Sequence, residues 1–274
     1  MNNVDDLYSE TIDFGALACL TEALLARDFG LSISLPEGRL CPPVPNRYHY
    51  VNWLQNVMLA YNKRDEEVWG LDIGTGASAI YPLLACTKEA RWSMIGTDID
   101  ELSLQYARQN VTLNRLDERI KIVQTSADRP LLEELRGDGK PTRFAFTMCN
   151  PPFYQDEEEI SQLAQLKEFD PYSVCTGAKT EMITEGGEVH FVRRMISESL
   201  ELRTRCRWFT SLLGKFSSVK EVIEKLRSEK IENYALTEII QGQTRRWVIA
   251  WSFGDIRLPD VSGACCTTLS IVQN

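Results

Sequence analysis

The chain has 274 residues, 43% hydrophobic and 25% charged, which is enough apolar material for one large α/β domain with a sizeable core. A net charge of −9 argues against a protein that coats nucleic acid non-specifically. No apolar run approaches the roughly 20 residues of a membrane span, and acidic, polar Met1–Glu10 is neither a secretory signal nor a basic transit peptide.

Eight dispersed cysteines without a C-x-x-C pair, and only two histidines, argue against a zinc site and for a reduced, intracellular protein in nucleus or cytoplasm. In chain order, Phe14, Leu17, Ala18, Leu24 and Leu25 at helical spacing predict an amphipathic helix over 14–28. Pro36, Pro42, Pro43 and Pro45 predict an extended connector over 35–45, followed by a second helix over 48–61. Together these form an N-terminal extension, residues 1–66. The α/β unit proper then runs over 67–254. Apolar strands fall at Val68–Ile73, Trp92–Thr97, Ile120–Gln124 and Arg143–Met148, with helical stretches at Ala77–Thr87, Glu101–Leu113 and Leu131–Arg136 between them. That alternation predicts a mostly parallel sheet with helices on both faces. An acidic, irregular insertion over 154–178 follows, then a helix at Val189–Leu202, a strand at Arg205–Leu213, and a helix carrying Val219, Val222, Ile223 and Leu226. Tyr234–Gln241 and Trp247–Phe253 read as an antiparallel pair, and residues 255–274 as a loose tail. The expected architecture is a seven-stranded Rossmann-like α/β fold.

The first strand ends in Asp72-Ile73-Gly74-Thr75-Gly76, where glycines let the backbone approach a ligand at a strand-to-helix turn. The second strand ends at Asp98, a carboxylate placed to accept hydrogen bonds from ribose hydroxyls. These features alone fit a dinucleotide and S-adenosylmethionine equally. The fourth strand runs into Asn150-Pro151-Pro152-Phe153. Two prolines stiffen the loop and remove two backbone donors, so its carbonyls project. The Asn150 and Pro151 carbonyls can accept the two hydrogens of an aromatic amine, and Phe153 offers a flat face to a planar ring. Such a holder suits methyl transfer to an exocyclic amine, which needs alignment more than a strong base. Cys149 reads as a small apolar strand residue.

These segments resemble the methyltransferase-like protein sixteen family, the U6 small nuclear RNA adenosine N6-methyltransferases, whose bacterial relatives modify large-subunit ribosomal RNA. The resemblance rests on residues 28–33, 72–78, 80–84, 149–153, 185–188, Gln241-Gly242 and Arg246-Trp247. It implies S-adenosylmethionine as cofactor and structured RNA, small nuclear RNA or messenger RNA hairpins, as partner, for a monomeric enzyme without a metal. It also implies cofactor-contacting roles for Arg47, Gly74, Thr75, Gly76, Ser78 and Asn150, alongside Asp98. In the loop Thr125–Pro130, Asp128 is the chemical candidate for the cofactor adenine and Pro130 the positional one; helix capping explains Asp128 equally well. The expected departures from the family are a late, non-basic start, the acidic insertion Asp156–Glu159, and a C-terminal region of vertebrate members that is absent or not included in this sequence.

Residues 193–230 carry ten Lys/Arg against five acids. Arg193, Arg203, Arg205, Arg207, Lys215, Arg245 and Arg246 are the candidates for RNA phosphates, with Arg203, Arg205 and Arg207 alternating at strand spacing. A solvated helix face accounts for the later lysines. Two other functions use the same residues: a protein-glutamine methyltransferase, and a non-catalytic RNA-binding subunit.

Overall fold

The structure, a computed structural model, describes residues 14–59, 67–137, 141, 143–159, 177–241 and 244–258. Expectations for the first residues, the end of the second helix, most of the insertion and most of the tail lie outside the described residues.

Seven strands form one sheet in the order β3-β2-β1-β4-β5-β7-β6. They are β1 (Val68–Ile73), β2 (Trp92–Asp98), β3 (Ile120–Gln124), β4 (Phe144–Cys149), β5 (Cys206–Leu213), β6 (Tyr234–Gln241) and β7 (Thr244–Trp251). Neighbours through β5 are parallel, while β7 runs antiparallel to both β5 and β6. The strand order reverses between β1 and β4, and in open α/β sheets the crevice beyond the carboxyl ends at such a point is where ligands bind. The helices are α1 (Phe14–Phe29), α2 (Val44–Leu59), α3 (Ile80–Lys88), α4 (Glu101–Leu113), α5 (Lys179–Met182), α6 (Gly187–Leu202) and α7 (Phe216–Ser228). Two apolar clusters form the core. One joins α1, α2 and α3 to Met94, Phe146 and Trp208; the other joins α6 and α7 to Leu71, Ile95 and Phe209.

Three sequence expectations change. Leu131–Arg136 is a turn with a single 3-10 segment, Glu133–Leu135, because six residues closed by i→i+3 bonds (Leu135 N to Leu132 O at 3.0 Å, Arg136 N to Glu133 O at 2.9 Å) are too short a run to make a crossover helix. The helix expected from Ala77 begins only at Ile80, because Gly74, Gly76 and Ala79 all take left-handed φ angles of 73°, 65° and 46°. The second helix starts earlier than expected, at Val44, since Pro45 sits in its first turn, where a missing N–H costs nothing.

The N-terminal extension is stitched to the sheet by polar side chains. Asn114, the C-cap of α4, accepts from Ser32 N at 2.9 Å and donates to Ser32 O at 2.7 Å. Buried Asn110 does the same for Ser34 (2.7 and 3.0 Å) and also donates to Ala77 O at 3.0 Å, in the glycine turn. Arg39 ion-pairs with Asp100, the N-cap of α4, at 2.9 Å. From α2, Tyr50 reaches the seam between β4 and β5. Thr210 Oγ1 donates to Thr147 O at 2.6 Å, which leaves its lone pairs for the Tyr50 hydroxyl, also 2.6 Å away. Tyr50→Phe removes one buried hydrogen bond without opening a cavity. It is expected to cost about 1 to 2 kcal/mol in urea unfolding, and a cost under about 0.3 kcal/mol would show that this hydroxyl does not tie the extension to the sheet.

Candidate active site

A cleft of about 400 Å³ opens at the carboxyl ends of β1, β2 and β4. The glycine turn forms its floor. Gly74 N and Thr75 N both donate to Thr97 O at 2.9 Å, which pins the turn to β2. A side chain added at Gly74 would meet nothing within 4 Å, so the backbone there faces the open cleft. Asp98 closes the turn from the other side: one oxygen accepts Gly76 N at 2.8 Å, the other Asp100 N at 3.0 Å. Burial raises the Asp98 pKa, and these backbone N–H groups oppose the shift. Each oxygen takes only one of these N–H groups, so lone pairs remain for a diol.

Beside the turn, β4 delivers Asn150 to the cleft wall with Pro152. The Asn150 side-chain oxygen is buried and has no hydrogen-bond partner. An orphaned acceptor at a ligand cleft is a costly feature for a fold to keep, and a donor from a ligand would satisfy it. Pro151 is buried, and neither it nor Phe153 is among the described cleft-lining residues. The Phe153 ring is fixed from two directions. Arg246 lies over it at 5.6 Å from the ring centroid. Gly214 packs so closely that a Cβ there would lie 2.8 Å from Phe153 Cδ1. Buried Glu188 holds the Gly214 turn by accepting Gly214 N at 2.6 Å and Lys215 N at 3.1 Å. Burial pushes the Cys149 thiol well above its ordinary pKa, with nearby Asp72 adding to the shift, so it stays protonated and apolar in character.

The extension supplies the opposite wall through Leu40, Pro42 and Arg47. Arg47 is buried, donates to the Tyr81 hydroxyl at 3.2 Å and lies over the Tyr81 ring at 5.6 Å. Thr75, Gly76, Ser78 and Pro130 line the cleft as expected from the sequence. Asp128 does not. It is exposed, and the neighbouring Ser126 hydroxyl and its own backbone hold its carboxylate below the usual range. Thr125, Ser126, Ala127 and Arg129 line the cleft in that loop instead.

Glu181 is a cleft residue that sequence reasoning missed. One oxygen accepts both Leu40 N at 2.9 Å and Ala178 N at 2.8 Å, joining the extension to the segment before α6; burial raises its pKa. The Ala178 contact is an ordinary bond from the N-cap backbone to the third helical residue, but nothing in the local sequence signals the bond to Leu40, 141 residues away.

Asp72 lies fully buried beneath the turn, with neither oxygen hydrogen-bonded. Burial, reinforced by the charge of Asp98, pushes its pKa to about 7; the nearby Thr75 hydroxyl and Arg47 charge oppose the shift. Between the ordinary value of 3.8 and about 7 the folded state therefore holds a proton that the unfolded chain has released. Stability is expected to fall as pH rises through that window and to level off above it. Asp72→Asn should flatten that slope, the upper bound on the difference being on the order of 4 kcal/mol. Parallel stability–pH curves for the two proteins would rule out a buried, protonated Asp72.

The seven basic candidates do not share one surface. Arg203–Arg205 is a 3-10 turn, not strand, with Arg203 at φ 39°, so the three-arginine stripe does not form. Arg203 lies 5.0 Å over Phe253, and Arg205 donates to the Arg136 and Gly137 carbonyls at 3.2 Å. With Arg207 they sit at the start of β5, which runs parallel to β4 and so begins roughly 20 Å from the Asn150 end of the sheet. Arg193, on α6, pairs with Glu221 at 3.3 Å. Lys215, Arg245 and Arg246 lie at the cleft end: Lys215 pairs with Glu159, Arg245 with Glu238 at 3.2 Å, and burial lowers the pKa of Arg246, with Arg47 adding to the effect.

A family model described as RNA methyltransferase matches residues 8–255. The chain belongs to this RNA methyltransferase family. Within it, the chain is 42% identical over 251 residues to the U6 small nuclear RNA (adenine-(43)-N(6))-methyltransferase of Schizosaccharomyces pombe, covering 90% of this chain and 63% of that protein. It is 40% identical over 244 residues to the RNA N(6)-adenosine-methyltransferase METTL16 of Mus musculus, covering 88% of this chain and 44% of that one. The chain thus spans about half to two-thirds of the length of these relatives. Its fold matches the human METTL16 catalytic domain in complex with a MAT2A 3′UTR hairpin (TM-score 0.79, 39% identity, 88% of this chain and 80% of the other). It also matches the N-terminal domain of human METTL16 in complex with SAH, S-adenosylhomocysteine (TM-score 0.73, 37% identity, 88% and 82%). The family's cleft fits an S-adenosyl ligand here: open backbone at Gly74, a carboxylate with spare lone pairs at Asp98, and the orphaned Asn150 oxygen beside them.

Proposed function

We propose that this chain is the catalytic portion of an S-adenosylmethionine-dependent RNA adenine N6-methyltransferase. Its substrate is an unpaired adenosine in structured RNA of the U6 small nuclear RNA kind. The observation that carries the reading is the buried, unpartnered Asn150 oxygen at the lip of the cleft, next to the glycine turn. The relatives' activities agree with it.

Bound in the cleft, the cofactor supplies an electrophilic sulfonium methyl. Gly74, Thr75 and Gly76 bring the backbone against it, Asp98 accepts from its ribose, and Arg47 faces its carboxylate. The Asn150 oxygen accepts one hydrogen of the adenine amine and the Pro151 carbonyl the other, which turns the nitrogen lone pair toward the methyl. Transfer there would form the N–C bond as the S–C bond broke with its electron pair left on sulfur, and the amine proton would leave to water. No histidine or free thiolate is required, in keeping with the protonated Cys149. Phe153, backed by Arg246 and Gly214, provides the face on which the adenine stacks. Lys215, Arg245 and Arg246 are the basic residues placed to meet RNA phosphates at this end of the sheet, whereas Arg203, Arg205 and Arg207 are not. The extension belongs to the catalytic unit, since its Leu40, Pro42 and Arg47 build one wall of the cleft.

The test is incubation of the purified chain with labelled S-adenosylmethionine and a hairpin containing an unpaired adenosine, followed by nucleoside analysis. Label in N6-methyladenosine is the expected result. Label on guanosine, or ribonuclease-resistant label on protein, would overturn the assignment.

A further inference from the structure

The wall of the cleft formed by the loop after β3 has little structure of its own. Ser126–Arg129 are exposed, and the loop's internal backbone bonds are sparse: Arg129 N to Ser126 O at 3.1 Å and Glu133 N to Pro130 O at 3.4 Å. Its support comes from α6. Glu198 accepts Leu131 N on one oxygen at 3.1 Å and Leu132 N on the other at 2.9 Å. Arg194, one turn earlier, donates from Nε to Glu198 at 3.0 Å. Its remaining nitrogens reach across the loop to the carbonyls of Ala127, at 3.4 Å, and Arg129. Four backbone groups of one loop thus end on two side chains of one helix. The arginine also lines the cleft.

We infer that Arg194 and Glu198 are positioning residues that clamp loop 125–132 as a wall of the cleft and thereby set its affinity for the S-adenosyl ligand. The inference rests on the proposal that the cleft binds S-adenosylmethionine. A solvated ion pair four residues apart on a helix stabilises only weakly, so the pair alone does not explain the arrangement. Its consequence lies in what it holds: Thr125, Ser126, Ala127, Arg129, Pro130 and Leu131 all line the cleft. The planar guanidinium fork spans the carboxylate and two separate carbonyls at once, which a lysine cannot do. A ligand that needs the wall in place binds in proportion to the fraction of time the wall is there. If the freed loop holds that position a tenth of the time, apparent affinity falls about tenfold.

The experiment uses the whole chain, with calorimetry of SAH binding and hydrogen exchange of the 125–132 region. Arg194→Ala and Glu198→Ala are each expected to weaken SAH binding about tenfold and to speed exchange in that region, leaving the core strands protected. The double variant should lose little more than the worse single, because the two act as one unit. Arg194→Lys and Glu198→Gln, which keep bulk and helix propensity, should fall between wild type and the alanine variants. They carry the test if the alanine forms do not fold. SAH affinity within twofold of wild type, with unchanged exchange over 125–132, would overturn the clamp. If wild type itself does not bind SAH, the cofactor assignment fails, and exchange without ligand still decides whether the clamp exists.

Discussion

Asn150→Ala is expected to lower methyl transfer by about a thousandfold or more while leaving SAH affinity within about tenfold of wild type. The asymmetry follows from what the side chain does. Toward the cofactor it offers at most one hydrogen bond among many, a net contribution of about 1 kcal/mol. Toward the amine it fixes the direction of the lone pair, and a displacement of about 1 Å at the reacting atom can cost a hundredfold by itself. Its oxygen is already desolvated and unpartnered, so it is poised without reorganising. Asn150→Asp separates the roles, because it keeps the acceptor and discards the amide donors. It should retain more activity than the alanine variant. Single-turnover rates and calorimetry on the same preparations check both statements. An alanine variant with near-normal turnover would remove Asn150 from the chemistry.

Gly70→Ala is expected to destabilise the fold by about 3 kcal/mol or more, though it adds only a methyl group. A Cβ at Gly70 would lie 2.5 Å from Met94 Sδ and 2.5 Å from two ring atoms of Phe146. Met94 can yield, but Phe146 is fully buried and also packs against Trp92 at 5.0 Å between ring centroids. Replacing glycine elsewhere stabilises by about 0.4 to 1 kcal/mol through the unfolded state, which is too little to offset the clash. The damage falls on β1, whose end carries the glycine turn, so cofactor affinity should fall with stability. Urea unfolding decides the point: a midpoint at or above the wild-type value would mean that β1 and β4 do not pack as described.

Particular residues show how far the chain could be read without its fold. The strand–helix alternation from Val68 onward, together with Gly74, Gly76, Asp98 and Asn150, located the cleft because those signals are local. Glycine favours the left-handed turn, the end of a predicted strand fixes where Asp98 falls, and a proline pair stiffens the loop beside them. The segment Leu131–Arg136 misled because apolar spacing over six residues does not distinguish a short helix from a turn anchored elsewhere. The arginines at 203, 205 and 207 misled because their alternation presumed a strand that begins only at Cys206.

The amino-acid order therefore determined the sheet, the glycine turn and the stiff Asn150–Phe153 loop, since each depends on backbone preferences of adjacent residues. Tertiary structure alone decided which carboxylates meet the cleft, that the N-terminal extension builds one wall, and that α6 holds another. Glu181, Glu188 and Glu198 act on backbone groups many residues away. A bond to a distant N–H leaves no trace in the identity of the residue that provides it, because every residue but proline carries the same donor.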